Sequence, residues 1–212
     1  MKPFPNTFAD SARPLPADIL GGSDLEYIQR LTGKGYEIHT GLTPELAGRI
    51  LTMSLEPNIR EYCPKDSAER FADRQSTERW LKKNREVFLL FKKAEAGNLE
   101  LAGYGWSGTG SNDYVPGGKT TFALRIGEAG QGQGLAAPFS RLMIAATAGL
   151  YGSADFWLET WASNGAAVHI YHKIGFETVD EQPGERRGPG GEKVPDTRIY
   201  MSLPNRLLPE PR

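Results

Sequence analysis

The chain has 212 residues, 39% hydrophobic and 24% charged, proportions that suit a soluble globular protein able to bury a sizeable core. A formal net charge of -1 lacks the basic bias of a nucleic-acid binder. Cys63 is the only cysteine, which excludes an intrachain disulfide and a thiolate metal site, and His39, His169 and His172 are too scattered to suggest a metal centre.

In chain order, residues 1–34 carry several prolines and a Gly-Gly pair, which reads as an irregular or partly disordered arm. That arm has no continuous apolar run of the secretory kind, and no window reaches a membrane span, so a cytoplasmic protein is expected. Residues 35–203 read as one domain, with 204–212 as a tail. Gly35–Leu42 suits a first strand. Thr43 before Pro44 marks a helix start, with the helix running to about Ser54. "LEPNIREYCPK" reads as a proline-bounded loop. Asp66, Ser67 and Glu69 are candidate caps of a second helix reaching Asn84, with Asp66/Arg70 and Glu78/Lys82 as pairs one turn apart. The period then shortens: "EVFLLFKK" and "LELAGYGWSG" are strand-like runs joined by "AEAGN", a hairpin signal, and "KTTFALRI" is a third. Apolar residues at 139, 142, 143 and 146 give one face of a helix from Leu135 to about Gly149. "DFWLETW", "FETVDE" and "TRIYMSL" read as strands and "NGAAVHIYHKIG" as a short helix. "GERRGPGGEKVP" has the composition of a long flexible loop. The order β-α-α-β-β-β-α-β-α-β-β predicts an α/β domain, a mixed sheet flanked by helices.

"RIGEAGQGQGLAAPF" places four glycines ahead of a helix. Helix N-termini attract anions, because their first amides lack partners and the macrodipole is positive there. Pro138 fits the first turn, so the helix begins at the loop. No G-K-[ST] follows, which removes a triphosphate loop. Gly132, Gly134 and Ala137 satisfy a relaxed dinucleotide fingerprint with Glu159 in the next strand, but only about fifty residues remain for the rest of a doubly wound sheet.

Coenzyme A is the third reading. "QGQGLA" (Gln131–Ala136) resembles the pyrophosphate loop Q/R-x-x-G-x-G/A of the GCN5-related N-acetyltransferase (GNAT) family, and "NGAAVHIYHKIGF" (Asn164–Phe176) resembles its N-x-x-A-x-x-x-Y-x-x-x-G-F signature. Within the family, "LETWASNGAAVHIYHKIGF" is most similar to the run found in ribosomal-protein alanine N-acetyltransferases. The resemblance implies an acyl-CoA N-acyltransferase fold and acetyl transfer from acetyl-CoA, as co-substrate and without a metal, to a primary amine. The acceptor would be a small molecule or a protein N-terminus, and the enzyme a monomer or homodimer.

Carried onto this sequence, the family pattern implies that Gln131, Gly132, Gln133, Gly134, Leu135 and Ala136 hold the CoA pyrophosphate through backbone amides. Leu124 and Ile126 would pair with the pantetheine arm, and Asn164 and Ala167 would contact it. Tyr171 would protonate the departing thiolate, and Glu159 would act as general base, directly or through water. The family often has a cation in the loop where Gln131 and Gln133 stand, so phosphate binding would lean on the backbone. His169 and His172 are expected on the surface, and Cys63 as an incidental or buried thiol. For the acceptor, Glu56, Glu61 and Tyr62 suit a cation, and Arg186, Arg187 and Lys193 an anion. Two other functions stay open: an acyl-CoA-binding module without catalysis, and a nucleotide-dependent oxidoreductase.

Overall fold

A computed structural model describes residues 2–94, 97–188 and 191–204. The strands are β1 (Arg13–Pro14), β2 (Tyr36–Thr40), β3 (Arg85–Lys93), β4 (Leu99–Thr109), β5 (Thr120–Ile126), β6 (Phe156–Trp161), β7 (Glu177–Arg187) and β8 (Lys193–Ser202). The helices are α1 (Leu25–Thr32), α2 (Pro44–Ser54), α3 (Pro57–Tyr62), α4 (Arg74–Leu81), α5 (Ala136–Tyr151) and α6 (Gly165–Lys173). The expected mixed sheet flanked by helices forms, in the order β1-β2-β3-β4-β5-β6-β8-β7. Only β5 and β6 run parallel among the described strands, with α5 as their crossover. That is not the doubly wound parallel sheet a dinucleotide fingerprint requires.

Alternation along the strands sends side chains to two cores. On one face Phe88, Leu90, Phe122 and Leu158 pack with Phe139, Leu142 and Met143 of α5 and Tyr171 of α6. On the other, Val87, Leu89, Tyr104 and Trp106 pack with Ile50 of α2 and Trp80 of α4.

Several local expectations give way to longer-range contacts. Thr43 caps α2 as expected, its side chain accepting from the Leu46 amide at 3.2 Å. The stretch read as a proline-bounded loop contains α3, opened by Pro57 in its first turn. The second helix is two pieces, a single wide turn at Asp66–Arg70 and then α4, which Asp73 caps through the Ser76 amide at 2.7 Å. Asp66 does pair with Arg70, but Glu78 pairs back with Arg74 at 2.9 Å instead of forward with Lys82. Helix α5 continues past Gly149 to Tyr151, closed by Gly152 in the left-handed region.

The supposed flexible loop 184–195 is largely ladder, since β7 and β8 pair from Glu177↔Ser202 to Arg187↔Lys193. Pro183 is tolerated because β7 is the sheet's edge strand. Residues 189 and 190 of that loop, 95 and 96 of the "AEAGN" turn, and 205–212 of the tail lie outside the described residues. The N-terminal segment, read as irregular, adds β1 to the sheet and packs α1 on α5. Phe4 stacks on Tyr151, ring centroids 4.2 Å apart.

Candidate active site

The β5–β6 ladder consists of Thr120↔Phe156 and Thr121↔Trp157. Beyond it the strands diverge, and Phe122 to Ile126 on one side and Glu159 to Trp161 on the other line a cleft of about 1800 Å³. Single drug-sized ligands occupy roughly 300–1,000 Å³, so the cleft has room for two substrates.

At its Ile126 end lies the glycine loop. Gly132 and Gly134 have φ of 70° and 71°, a region costly for other residues, and a Cβ at Gly132 would meet open space. These glycines are therefore required by the backbone path, not by close packing inside the protein. Leu135 occupies the cap position and α5 starts at Ala136, with its first amides at the cleft. The two glutamines brace the loop. Gln131 Nε2 donates to the Ile126 carbonyl at 3.2 Å, and Gln133 Nε2 donates to the Ala129 carbonyl at 2.5 Å. Tyr36 donates to Gln133 Oε1 at 2.8 Å. Positive charge does reach the loop, from a distant part of the chain: Lys34 Nζ donates to the Gln133 carbonyl at 2.6 Å.

Asn164 caps α6, its side-chain oxygen accepting from the Ala167 amide at 3.3 Å, which leaves its NH2 group as a donor. Tyr171 projects from α6 into the core and is 6% exposed. Burial pushes its hydroxyl up to about 12, opposed by Arg125 and by a backbone hydrogen bond with Leu124, so it remains an O–H donor at neutral pH. Glu159 faces the opposite side of the sheet on β6. Its side chain is 44% exposed, with Oε1 3.8 Å from the Arg198 guanidinium.

Arg125, on β5, is tied to buried Asp66. Its Nε donates to Asp66 Oδ2 at 2.9 Å, and the Tyr104 hydroxyl donates to the same oxygen at 2.9 Å. Burial alone would lower the Arg125 pKa, but Asp66 outweighs it and holds the guanidinium charged. Cys63 also lines the cleft; burial pushes its thiol up, so it stays protonated and is a poor nucleophile.

Of the residues singled out from sequence, Leu124, Ile126, Gln131, Gly132, Gly134, Leu135, Ala136, Glu159, Asn164, Ala167 and Tyr171 all line this one cleft. Gln133 does not line it, because both ends of its side-chain amide are bound within the protein. His169 and His172 are exposed, as expected.

The acceptor-side expectations change more. Glu56 accepts the Glu128 amide at 2.7 Å and so braces the approach to the glycine loop. Glu61 and Arg186, expected to meet ligands of opposite charge, pair with each other at 3.0 Å, and Arg186 lies over the Tyr62 ring at 5.4 Å. Asp196 completes this link, accepting from Arg186 at 3.0 Å, so α3 and the β7–β8 hairpin are clasped across one side of the cleft. Sequence reading gave Asp66 only a cap and a pairing with Arg70 and passed over Lys34 and Arg125, because their partners in the site lie far away in the chain.

No family model matches the sequence, and no curated protein does. Solved structures do match. The spermidine N-acetyltransferase of Vibrio cholerae, in complex with CoA and spermine, is 18% identical, with a TM-score of 0.61 over 80% of this chain and 96% of that one. The ribosomal-protein-S5-alanine acetyltransferase of Vibrio fischeri is 15% identical, with a TM-score of 0.62 over 81% and 93%. A GNAT-family acetyltransferase from Streptococcus pneumoniae is 19% identical, with a TM-score of 0.56 over 80% and 99%. At these identities it is the fold that is shared: the chain has the fold of the GNAT acetyltransferases.

Proposed function

We propose that the chain is an acetyl-CoA-dependent N-acetyltransferase acting on a primary amine of a small molecule or a protein N-terminus. The observation that carries this reading is the convergence of the glycine loop, the splayed β5 edge, Tyr171 and Glu159 on one cleft. The fit to coenzyme A rests on the same features. A loop with two left-handed glycines leads its amides to a helix start, and a strand edge without a β6 partner leads away from it. Gln131 to Ala136 hold the pyrophosphate, with Lys34 as nearby charge, while Leu124, Ile126, Asn164 and Ala167 hold the pantetheine arm.

Acetyl-CoA supplies the acetyl group as an activated thioester. Glu159 takes a proton from the acceptor ammonium, directly or through water, so that the nitrogen lone pair becomes available. As the new C–N bond forms and the C–S bond breaks, the Tyr171 hydroxyl gives its proton to the leaving sulfur. The second proton shed by the nitrogen returns through water to the Tyr171 phenolate, and Glu159 releases the first to solvent. Burial serves that step by keeping Tyr171 protonated, and Arg125 steadies the negative charge it acquires. A primary amine is acetylated without an acyl-enzyme.

Free-thiol release from acetyl-CoA, followed over a panel of amines and peptides, tests this. Tyr171→Phe is expected to lower kcat by roughly 10²-fold or more with little change in acetyl-CoA affinity. A Tyr171→Phe protein as fast as the native one would remove the general-acid role.

A further inference from the structure

The cleft carries an excess of charge that acetyl transfer does not use. Its lining holds ten Lys and Arg side chains against four Glu, although the whole chain has a net charge of -1. Three of those glutamates are already paired: Glu61 with Arg186, Glu159 with Arg198, and Glu185 with Lys193. Of the remaining cations, Lys65, Lys173 and Arg187 lie elsewhere on the lining. Arg79, Lys83 and Arg85 lie where the C-terminal end of α4 meets the start of β3, with Arg70 near enough to Arg85 to repel it.

Arg70 is taken by Asp66, and Arg79 donates to Ser76 Oγ at 3.0 Å. Lys83 and Arg85 have no ion-pair partner among the described residues. Arg85 lies across Gly108, where a Cβ would come within 2.8 Å of its side chain, and donates to the Thr109 carbonyl. Its Nε is buried without a hydrogen-bond partner. Burial and the nearby Arg70 pull its guanidinium down to about 10, a cation under strain from its surroundings yet still charged at neutral pH. Arg85 is half-buried and Lys83 exposed, and a half-satisfied guanidinium facing a cleft is a seat for an anion.

This wall is separate from the glycine loop. Arg85 is opposite Gly108, which is opposite Thr121, at the end of β5 away from Ile126. Five residues of extended chain separate the two ends, roughly 17 Å. Arg85 also shares the face of Val87 and Leu89, against α2 and α4, whereas α5 and α6 pack on the other. The two walls are therefore distinct parts of one cleft.

We propose that this wall binds an anionic group on the acceptor, so that the acceptor is a small primary amine that also bears a carboxylate or a phosphate. The proposal rests on the acetyltransferase reading for which ligand is the acceptor. A second cationic group on the amine would be repelled here, so a polyamine is the disfavoured class. Arg85 presents a planar fork suited to either oxyanion, and Lys83 adds a mobile charge.

Calorimetry tests it, with four amines of matched chain length titrated into the protein alone and then into the protein saturated with CoA. The amines are an alkylamine, an alkyl diamine, an ω-amino acid and an aminoalkyl phosphate. The ω-amino acid or the aminoalkyl phosphate is expected to bind at least about tenfold more tightly than the alkylamine; which of the two binds better identifies the anion. Arg85→Met and Lys83→Met are expected to bring that ratio toward one. The ratio is read on a single preparation, so a partly misfolded variant does not imitate the effect. Equal or tighter binding of the alkylamine or the diamine overturns the proposal. Failure to bind CoA overturns the acetyltransferase reading instead, and the amine ratio is then read on the protein alone.

Discussion

At the glycine loop the cleft is bounded by backbone: consecutive residues Gln131 to Ala136, two of them left-handed glycines, and the amides that open α5. Elsewhere it is bounded by side chains that come from α3, α4, β3, β6 and the β7–β8 hairpin. The first end is local in sequence and the second is assembled only by folding. A backbone site must spell itself out in consecutive glycines and small residues, because the chain path is the site. A side-chain site leaves no such record, and the same surface can be rebuilt for another acceptor without touching the loop.

The comparison is broken most severely at Asp66, which anchors the side-chain wall through Arg125, beside Ile126. It is fully buried and receives hydrogen bonds from Arg125, Tyr104 and Arg70. Asp66→Ala leaves the buried Arg125 guanidinium without its counterion, at a cost of about 3–5 kcal/mol. Thermal denaturation should show Tm falling by on the order of 10 °C. A Tm within two or three degrees of the native value would mean that the Arg125 guanidinium finds water or another partner.

Gly134→Val breaks the other end more gently. Its φ of 71° is strained for a β-branched residue, while the nearest atom to an added Cβ is Lys34 Nζ at 3.7 Å, so the penalty comes from the backbone. The free loop relaxes out of this strained turn, and re-forming it on binding, at about 1–3 kcal/mol, should lower acetyl-CoA affinity by roughly tenfold or more. Amine preference at the far end should be untouched. A change in both would show that the two ends are not independent.

Legibility from sequence followed the same division. Thr43 is found as a cap because a cap depends on the residue and its next three neighbours. The strands β3 to β6 are found from their β-branched and aromatic runs, which were bound to be buried. The break between the Asp66 turn and α4 was missed, although Asp73 is a readable cap, because the helical pairing pattern continued across it. Asp66 is drawn inward by Arg125, 59 positions away, and no local pattern announces that. The β7–β8 hairpin was hidden by its glycines and prolines, which an edge position tolerates. Lys34, just beyond α1, supplies the charge that the loop's own glutamines lack, so the motif alone displays only the deficit.

The central claim is that the glycine loop serves coenzyme A, and the most direct measurement is a calorimetric titration of the native protein with acetyl-CoA and, separately, with NADPH. Saturable one-to-one heat with acetyl-CoA and none with NADPH is the expected result. Binding of NADPH without binding of acetyl-CoA would contradict the account.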